Sequence, residues 1–262
     1  MAEQQIQFND GAAYERMMGV WSRLAGETFL DWLVPRPNLR WIDIGCGNGA
    51  FTELLVERCT PAQVQGIDPS EGQLTFARTR PAARMAKFDR GDATALAFPN
   101  ASFDVAIMAL VIFFVPEPAK GVAEMVRVVS PGGIVAAYAW DMLGGGFPLQ
   151  PIQTEMLAMG INPLRPPSAD VSRIDALRNL WTKAGLNSVE TREIAVQRTF
   201  ADFEDFWSTG MLGSSIGPTV ASMAPDVAAD LKSRVKARMS VGRAEPIIYS
   251  ARANAVKGTV PN

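Results

Sequence analysis

The chain has 262 residues, with 25 basic and 27 acidic side chains giving a net charge of −2, and 48% of it is apolar. That balance leaves no electrostatic footprint for nucleic acid or an anionic membrane, and the length suits one large α/β domain with a cap. Histidine is absent, which excludes Ser-His-Asp and Cys-His catalysis, imidazole metal ligands and the commonest general base.

The stretch MAEQQIQFNDG has no basic start followed by an apolar core, and no later run reaches the ~20 apolar residues of a membrane span. A soluble, cytoplasmic protein without membrane insertion is expected. Cys46 and Cys59 are the only cysteines, too few for a disulfide framework. Tyr14, Met17, Trp21, Leu24 and Trp32 fall at roughly helical spacing, so residues 1–38 read as a helical cover.

From Leu39 to about Val196 strand-like and helix-like runs alternate, the pattern of β-α-β units in a largely parallel sheet. The pattern predicts strands at Leu39–Ile44, Gln63–Ile67, Arg84–Phe88, Phe103–Ala109, Ile134–Trp140, Ser188–Val196 and Pro246–Val256. A helix follows Asn48 as its N-cap, and another follows Ser70, which fits a capping box with Gln73. A helix near Pro118 carries Val122, Met125, Val126 and Val129 on one face. A further one has Ile174, Leu177 and Trp181 inward and stops at Gly185. The connection 141–170 is rich in Pro and Gly and too long for a bare link, so it is expected to cover something. The segment 201–243 reads as two helices, the first with Phe203, Phe206, Trp207 and Met211. The resulting expectation is a single domain over 1–262: cover 1–38, core 39–140, and cap or substrate insertions 141–170 and 201–243.

The chemistry concentrates in WIDIGCGNGAF, Trp41 to Phe51. Asp43, Gly45, Cys46 and Gly47 end the first strand and open a helix, the edge where α/β sheets bind ligands. Glycines there let a ligand approach the backbone, while the acid favours a cationic ligand over a pyrophosphate. Asp68 ends the second strand, where a carboxylate can take ribose hydroxyls, and Asp92 follows the third. Three acids at successive strand ends suit a ligand built from an amino acid, a ribose and a base.

WIDIGCGNGAFTELL, GIDPSEGQL, RGDATALAFPNASFDVAIMALVIFFVPEP and MVRVVSPGGIVAAYAW together resemble the class I S-adenosylmethionine-dependent methyltransferases, in particular the small-molecule, ubiquinone-type C-methyltransferase branch. The resemblance covers about Leu39–Trp140. It implies a Rossmann-like fold with a seven-stranded, mostly parallel sheet, S-adenosylmethionine as cofactor, and methyl transfer to a small apolar or aromatic molecule. Asp43, Gly45 and Gly47 would surround the methionine part, Asp68 the ribose, and Pro69 and Gln73 the adenine. Asp92 would take the adenine amino group, Ala93 would offer a backbone amide, and Ala109 and Leu110 would line the sulfonium side. Tyr14 matches an N-terminal tyrosine that closes over the cofactor in relatives. Many relatives carry histidine near Phe113-Phe114; here both positions are aromatic, which favours an acceptor needing alignment more than deprotonation. The motif of nucleic-acid amino methyltransferases is absent after the fourth strand, so no nucleic-acid partner is expected.

Other readings stay open. Gly45, Gly47 and Ala50 satisfy a loose G-x-G-x-x-A, so a nicotinamide or flavin dinucleotide is the rival ligand, and a non-catalytic binder would keep the same loop. Gln73 serves a cap as well as an adenine contact, and Cys46 reads as a small residue in a tight turn. Trp21, Phe113, Phe114, Trp140 and Trp207 are candidate walls of a substrate pocket or plain core. Asp141 and Tyr14 are the candidate catalytic groups, with a loop cap the simpler role for Asp141. Lys232, Arg234, Lys236, Arg238 and Arg243 form a basic cluster that reads as a solvated helix face.

Overall fold

The computed structural model describes residues 15–213, 216–239 and 246–262. Strands run in chain order as β1 (Arg40–Ile44), β2 (Gln63–Asp68), β3 (Ala86–Arg90), β4 (Phe103–Ala109), β5 (Val129–Trp140), β6 (Asn187–Phe200) and β7 (Ile247–Thr259). They form one sheet in the order β3-β2-β1-β4-β5-β7-β6. The first five pair in parallel, whereas β7 runs antiparallel to both β5 and β6. β4, covered on both faces, is apolar nearly throughout with Val105, Ala106, Ile107 and Met108 at 0% exposure, as an interior parallel strand requires. β6 lies at the edge, and only Ile194, Val196 and Phe200 of it are buried.

The helices are α1 (Val20–Leu33), entered through a turn at Glu15–Gly19, α2 (Ala50–Cys59), α3 (Glu71–Ala77), α4 (Pro118–Val128), α5 (Gln150–Ala158), α6 (Ile174–Lys183), α7 (Phe203–Met211), α8 (Ile216–Ala221) and α9 (Pro225–Arg238). α1 packs on α2 and reaches the sheet, where Phe29 meets Tyr138 of β5 with ring centroids 4.7 Å apart. α4 and α6 pack together, and Trp181 of α6 is fully buried with Nε1 donating to the Val135 carbonyl at 2.9 Å. Register levels the strand ends that matter: Asp43 stands opposite Gly66 of β2 and Ile107 of β4.

The apolar run predicted β4 in full, but other boundaries differ for physical reasons. β3 begins at Ala86, two residues later than expected, because Pro81–Arg84 coils into a 3₁₀ turn. β5 starts at Val129, five residues before the expected Ile134, and takes Ser130-Pro131-Gly132-Gly133 into the strand with a register shift against β4. The helix after β1 is capped by Gly49; Asn48 assists by accepting from the Ala50 amide at 3.2 Å. The 141–170 connection contains α5 and a 3₁₀ turn at Ala169–Ser172. Among the described residues the insertion 201–243 holds three helices where two were expected. Among the described residues no helix is long and apolar enough to cross a membrane, and no group of His, Cys, Asp or Glu could hold a metal ion.

Trp181→Ala removes the largest side chain between α6 and the sheet together with its hydrogen bond to Val135. A loss of about 3–5 kcal/mol is expected in urea unfolding, with far smaller loss for Lys183→Ala on the same helix.

Candidate functional site

Beyond Ile44 the chain turns sharply, with Gly45 and Gly47 at φ +74° and +53°, conformations that L side chains avoid. The Gly45 and Cys46 amides both donate to the Ile67 carbonyl at the end of β2, at 2.8 and 2.9 Å. The Gly47 amide donates to Asp68 Oδ2 at 3.0 Å, the Gly49 amide to the Cys46 carbonyl at 2.9 Å, and the Ala50 amide to Asn48. The loop thus spends these amides on itself and on β2, the reverse of a phosphate cradle, which presents them to an anion. This weighs against the dinucleotide reading.

What the loop leaves unspent is a carboxylate oxygen. Asp43 is fully buried; its Oδ2 accepts from Thr52 Oγ1 at 2.6 Å, and its Oδ1 is buried with no partner among the described residues. Burial raises its pKa from 3.8 to about 7, Thr52 pulls the other way, and the nearby Asp68 charge adds to the rise. A buried, half-satisfied acid is costly unless something meets it, and an ammonium group or a cation is the complement. Asp68 is half-buried, with Oδ1 accepting from the Ser70 amide at 2.8 Å. Burial raises its pKa while those two amides oppose the rise. The Cys46 thiol, pushed well up by burial and by Asp43 and Asp68, is inert.

The open side of Gly47 faces the ligand edge. A Cβ there would have only Gln73 Oε1 within 4 Å, at 3.9 Å. Ser70 caps α3 by accepting from the Gln73 amide at 3.4 Å. The Gln73 side chain, 2% exposed, is turned towards the loop. Pro69 is exposed beside it. The end of β3 joins through the Gly91 amide, which donates to the Asp68 carbonyl at 3.2 Å. Asp92 follows, exposed, with Oδ1 accepting from the Thr94 amide and hydroxyl at 2.8 and 2.9 Å, and Ala93 is half-buried. At the end of β4, Ala109 is half-buried and Leu110 adopts φ +62° with its amide on the Tyr138 carbonyl at 2.8 Å. A left-handed leucine costs roughly 1–2 kcal/mol, and such strain gathers at functional edges. Asp43, Gly45, Gly47, Asp68 and Gln73 therefore share one edge, flanked by Asp92 on one side and Leu110 on the other.

Two residues that no sequence reading singled out, Val111 and Arg80, complete this edge. Val111 seats its side chain where a Cβ on Gly45 would stand, which explains the first glycine as a packing requirement. Arg80, with an 11% exposed side chain, donates to the Asn48 carbonyl at 2.6 Å and to Glu53 at 2.7 Å, and pairs with Glu15. Asn48 Nδ2 also donates to Glu15 at 2.9 Å, so the start of the described chain is fastened to the glycine loop. Arg80's partners lie 27, 32 and 65 residues away in sequence, a separation that no local pattern signals.

The remaining candidate residues lie away from this edge or outside the described residues. Tyr14 lies outside the described residues. Asp141, 6% exposed, is a loop anchor: Oδ1 accepts from the Gly144 amide at 2.8 Å and Oδ2 from Arg252 at 2.5 Å, leaving no free oxygen poised as a base. Trp21 is core, 1% exposed, edge-on to Trp140 at 6.4 Å and beside Phe200 and Tyr249. Trp140 is likewise core, and Trp207 is sandwiched against Phe203 and Lys232 in the later insertion. Phe113 is buried against the half-buried Phe114, ring centroids 4.6 Å apart. The basic cluster dissolves into pairs, Lys232 with Glu204, Arg234 with Asp230 and Arg238 with Glu155, while Lys236 sits over Phe203; Arg243 lies outside the described residues.

Residues 42–137 match the family model described as a methyltransferase domain. Curated relatives include the chloroplastic 2-methyl-6-phytyl-1,4-hydroquinone methyltransferase 2 of Oryza sativa subsp. japonica, 38% identical over 96 residues, 37% of this chain and 28% of that protein. The ubiquinone/menaquinone biosynthesis C-methyltransferase UbiE of Cereibacter sphaeroides is 35% identical over 133 residues, 48% of this chain and 52% of that one. Trans-aconitate 2-methyltransferase of an Acidovorax species is 34% identical over 140 residues, 51% and 50% of the two chains. The chain thus spans about half the length of these relatives or less. Among solved structures, the YcgJ protein of Bacillus subtilis aligns with TM-score 0.58 at 14% identity, over 91% of this chain and 98% of that one. Phosphoethanolamine N-methyltransferase 2 of Haemonchus contortus, in complex with phosphomonomethylethanolamine and S-adenosylhomocysteine, aligns with TM-score 0.59 at 18% identity, over 95% and 57%. At such identities the likeness establishes the fold.

The buried Asp43 sets a pH dependence. Unfolded, the acid loses its proton near 3.8; folded, near 7. Between these values the folded state holds the extra proton, so the stability from this group is full below about pH 4 and is lost as pH rises through 7. Asp43→Asn cannot ionise and should flatten that decline. In urea titrations of the ligand-free protein, wild type should lose roughly 2–3 kcal/mol between pH 5 and pH 8 that the variant keeps.

Proposed function

We propose that the chain is a class I methyltransferase that transfers the methyl group of S-adenosylmethionine to a small, apolar or aromatic acceptor in the cytoplasm. The observation that carries this is the unmet Oδ1 of fully buried Asp43 beside a loop whose amides are already engaged. A dinucleotide phosphate would find an acid and few free donors; an amino-acid nucleoside with positive charge finds an acceptor and a cradle. The residues fit the cofactor in kind. Asp43 and the open face of Gly47 suit its amino-acid end, Asp68 its ribose hydroxyls, and Pro69, Gln73, Asp92 and Ala93 its adenine. Ala109 and Leu110 suit the side from which the acceptor comes.

S-adenosylmethionine, when bound, supplies a methyl group on a sulfonium that is already a good leaving group. The protein's part is then positioning and exclusion of water. Leu110, held left-handed by its bond to Tyr138, and Val111, seated on Gly45, form a rigid apolar margin at that edge. With no histidine in the chain and Asp141 tied to Arg252, the acceptor is one that ionises by itself or needs only alignment. By their printed names the relatives act on a hydroquinone and on trans-aconitate, so family membership alone leaves the acceptor class open.

Calorimetric titration with S-adenosylhomocysteine tests the cofactor assignment. Binding is expected, with Asp68→Ala at least tenfold weaker, about 1.4 kcal/mol; unchanged affinity would remove Asp68 from the site. In a thermal-shift comparison, S-adenosylhomocysteine should raise the melting temperature and NAD should not. The opposite pattern would replace methyl transfer with hydride chemistry.

A further inference from the structure

Past the tip of β5 the 141–170 segment forms a second cleft that shares no lining residue with the glycine loop and is lined by apolar Met142, Leu157 and Pro163 and by polar Gln150, Gln153 and Arg165. It lies along the same sheet edge as the proposed methyl-donor site. Met142 follows directly on Trp140 and Asp141, and the segment is clamped over the turn after β4. In that clamp the Ser168 amide donates to the Phe113 carbonyl at 3.0 Å and Ser168 Oγ to the Val115 carbonyl at 2.8 Å. The connection thus covers the loop that extends from Leu110.

The polar wall is built but unmet. Gln150 Oε1 is buried without a partner, while Nε2 donates to Thr154 Oγ1 at 3.2 Å. Thr154's hydroxyl can give or take a hydrogen bond, so the amide can turn over and offer its NH₂ to an anion. Gln153 is 8% exposed and its side chain has no hydrogen-bond partner among the described residues. Arg165 has no acid within ion-pair distance among them either. Of the three acids in the segment, Asp141 is paired with Arg252 and Glu155 with Arg238, and Asp170 does not line the cleft. One unpaired guanidinium and two neutral amides among apolar lining residues call for an anion with planar oxygens. The free interior is about 40 Å³, room for about three waters. That volume suits an acidic end group.

We propose that this cleft binds a carboxylate of the methyl acceptor, making the substrate a small organic acid with an apolar body. The proposal rests on the methyl-transfer reading and adds to it the chemical class of the acceptor. Arg165 recognises the carboxylate, Gln150 and Gln153 complete its hydrogen bonds, and Met142, Leu157 and Pro163 meet the carbon skeleton. Arg165 is exposed and makes no contact that the fold needs, so its replacement leaves the protein folded.

The test titrates the full chain, with and without S-adenosylhomocysteine, using two matched pairs: phenylacetate with phenylacetamide, and succinate with succinamide. At least one acid is expected to bind tenfold or more tightly than its amide. Arg165→Gln should erase that preference, Arg165→Lys should restore part of it, and the affinity for S-adenosylhomocysteine should stay at the wild-type value throughout. If S-adenosylhomocysteine binds but the acids bind no better than the amides, or Arg165→Gln leaves their affinity unchanged, the proposal is overturned. If the acids bind selectively and S-adenosylhomocysteine does not bind at all, the methyl-transfer reading falls and the acceptor role falls with it.

Discussion

One carbonyl oxygen, that of Ile67, fixes the functional edge. By taking the amides of both Gly45 and Cys46, it bends the chain leaving β1 back towards β2, and everything at the edge follows from that bend. The next amide is carried onto Asp68, Val111 can close over Gly45, and α2 starts where Thr52 reaches Asp43. The parallel register makes this possible because it sets the ends of β1, β2 and β4 level, with Asp43 opposite Gly66 and Ile107. The amides are consumed in making the shape, so the recognition that remains is carried by carboxylates. The same geometry therefore turns a loop of a general kind towards cationic ligands.

The balance of charge at that edge is deliberate in the physical sense that each acid has a different degree of satisfaction. Asp68 has an amide on each oxygen, Asp92 is exposed and braced by Thr94, and Asp43 keeps one buried oxygen unmet. Energy lost by burying Asp43 is the counterpart of selectivity for what neutralises it. In the 141–170 segment the pattern is reversed: Arg165 stands without an acid within ion-pair distance, while Asp141 and Glu155 are held by other arginines.

The sequence made the core legible because its signals are local. β4 reads as an uninterrupted apolar run, and the spacing of Asp43, Gly45 and Gly47 carries both the turn and the acid. The misses have one common cause, dependence on distant partners. Prolines and glycines in 141–170 concealed α5, whose burial comes from packing against α9 and not from its own composition. Trp21 and Trp140 looked like pocket walls because aromatic residues at a functional edge serve either purpose; their edge-on contact with each other settles them as core. Asp141 could not be distinguished from a base until Arg252, from β7, was seen beside it. Val111 and Arg80 carry no motif of their own, and only the folded chain brings one onto Gly45 and the other onto Asn48.

The antiparallel strand β7 lies between β5 and β6 although it comes after both in the chain. A ribosome making this protein can therefore release β1 to β5 as a growing parallel sheet, yet β6 has nothing to pair with until Ile247–Thr259 has emerged. During that interval β5 is an open edge, and the Arg252 that fastens Asp141 does not yet exist. The side of the sheet beyond β5 is thus the last to be assembled, and the edge built around the glycine loop can be in place well before it.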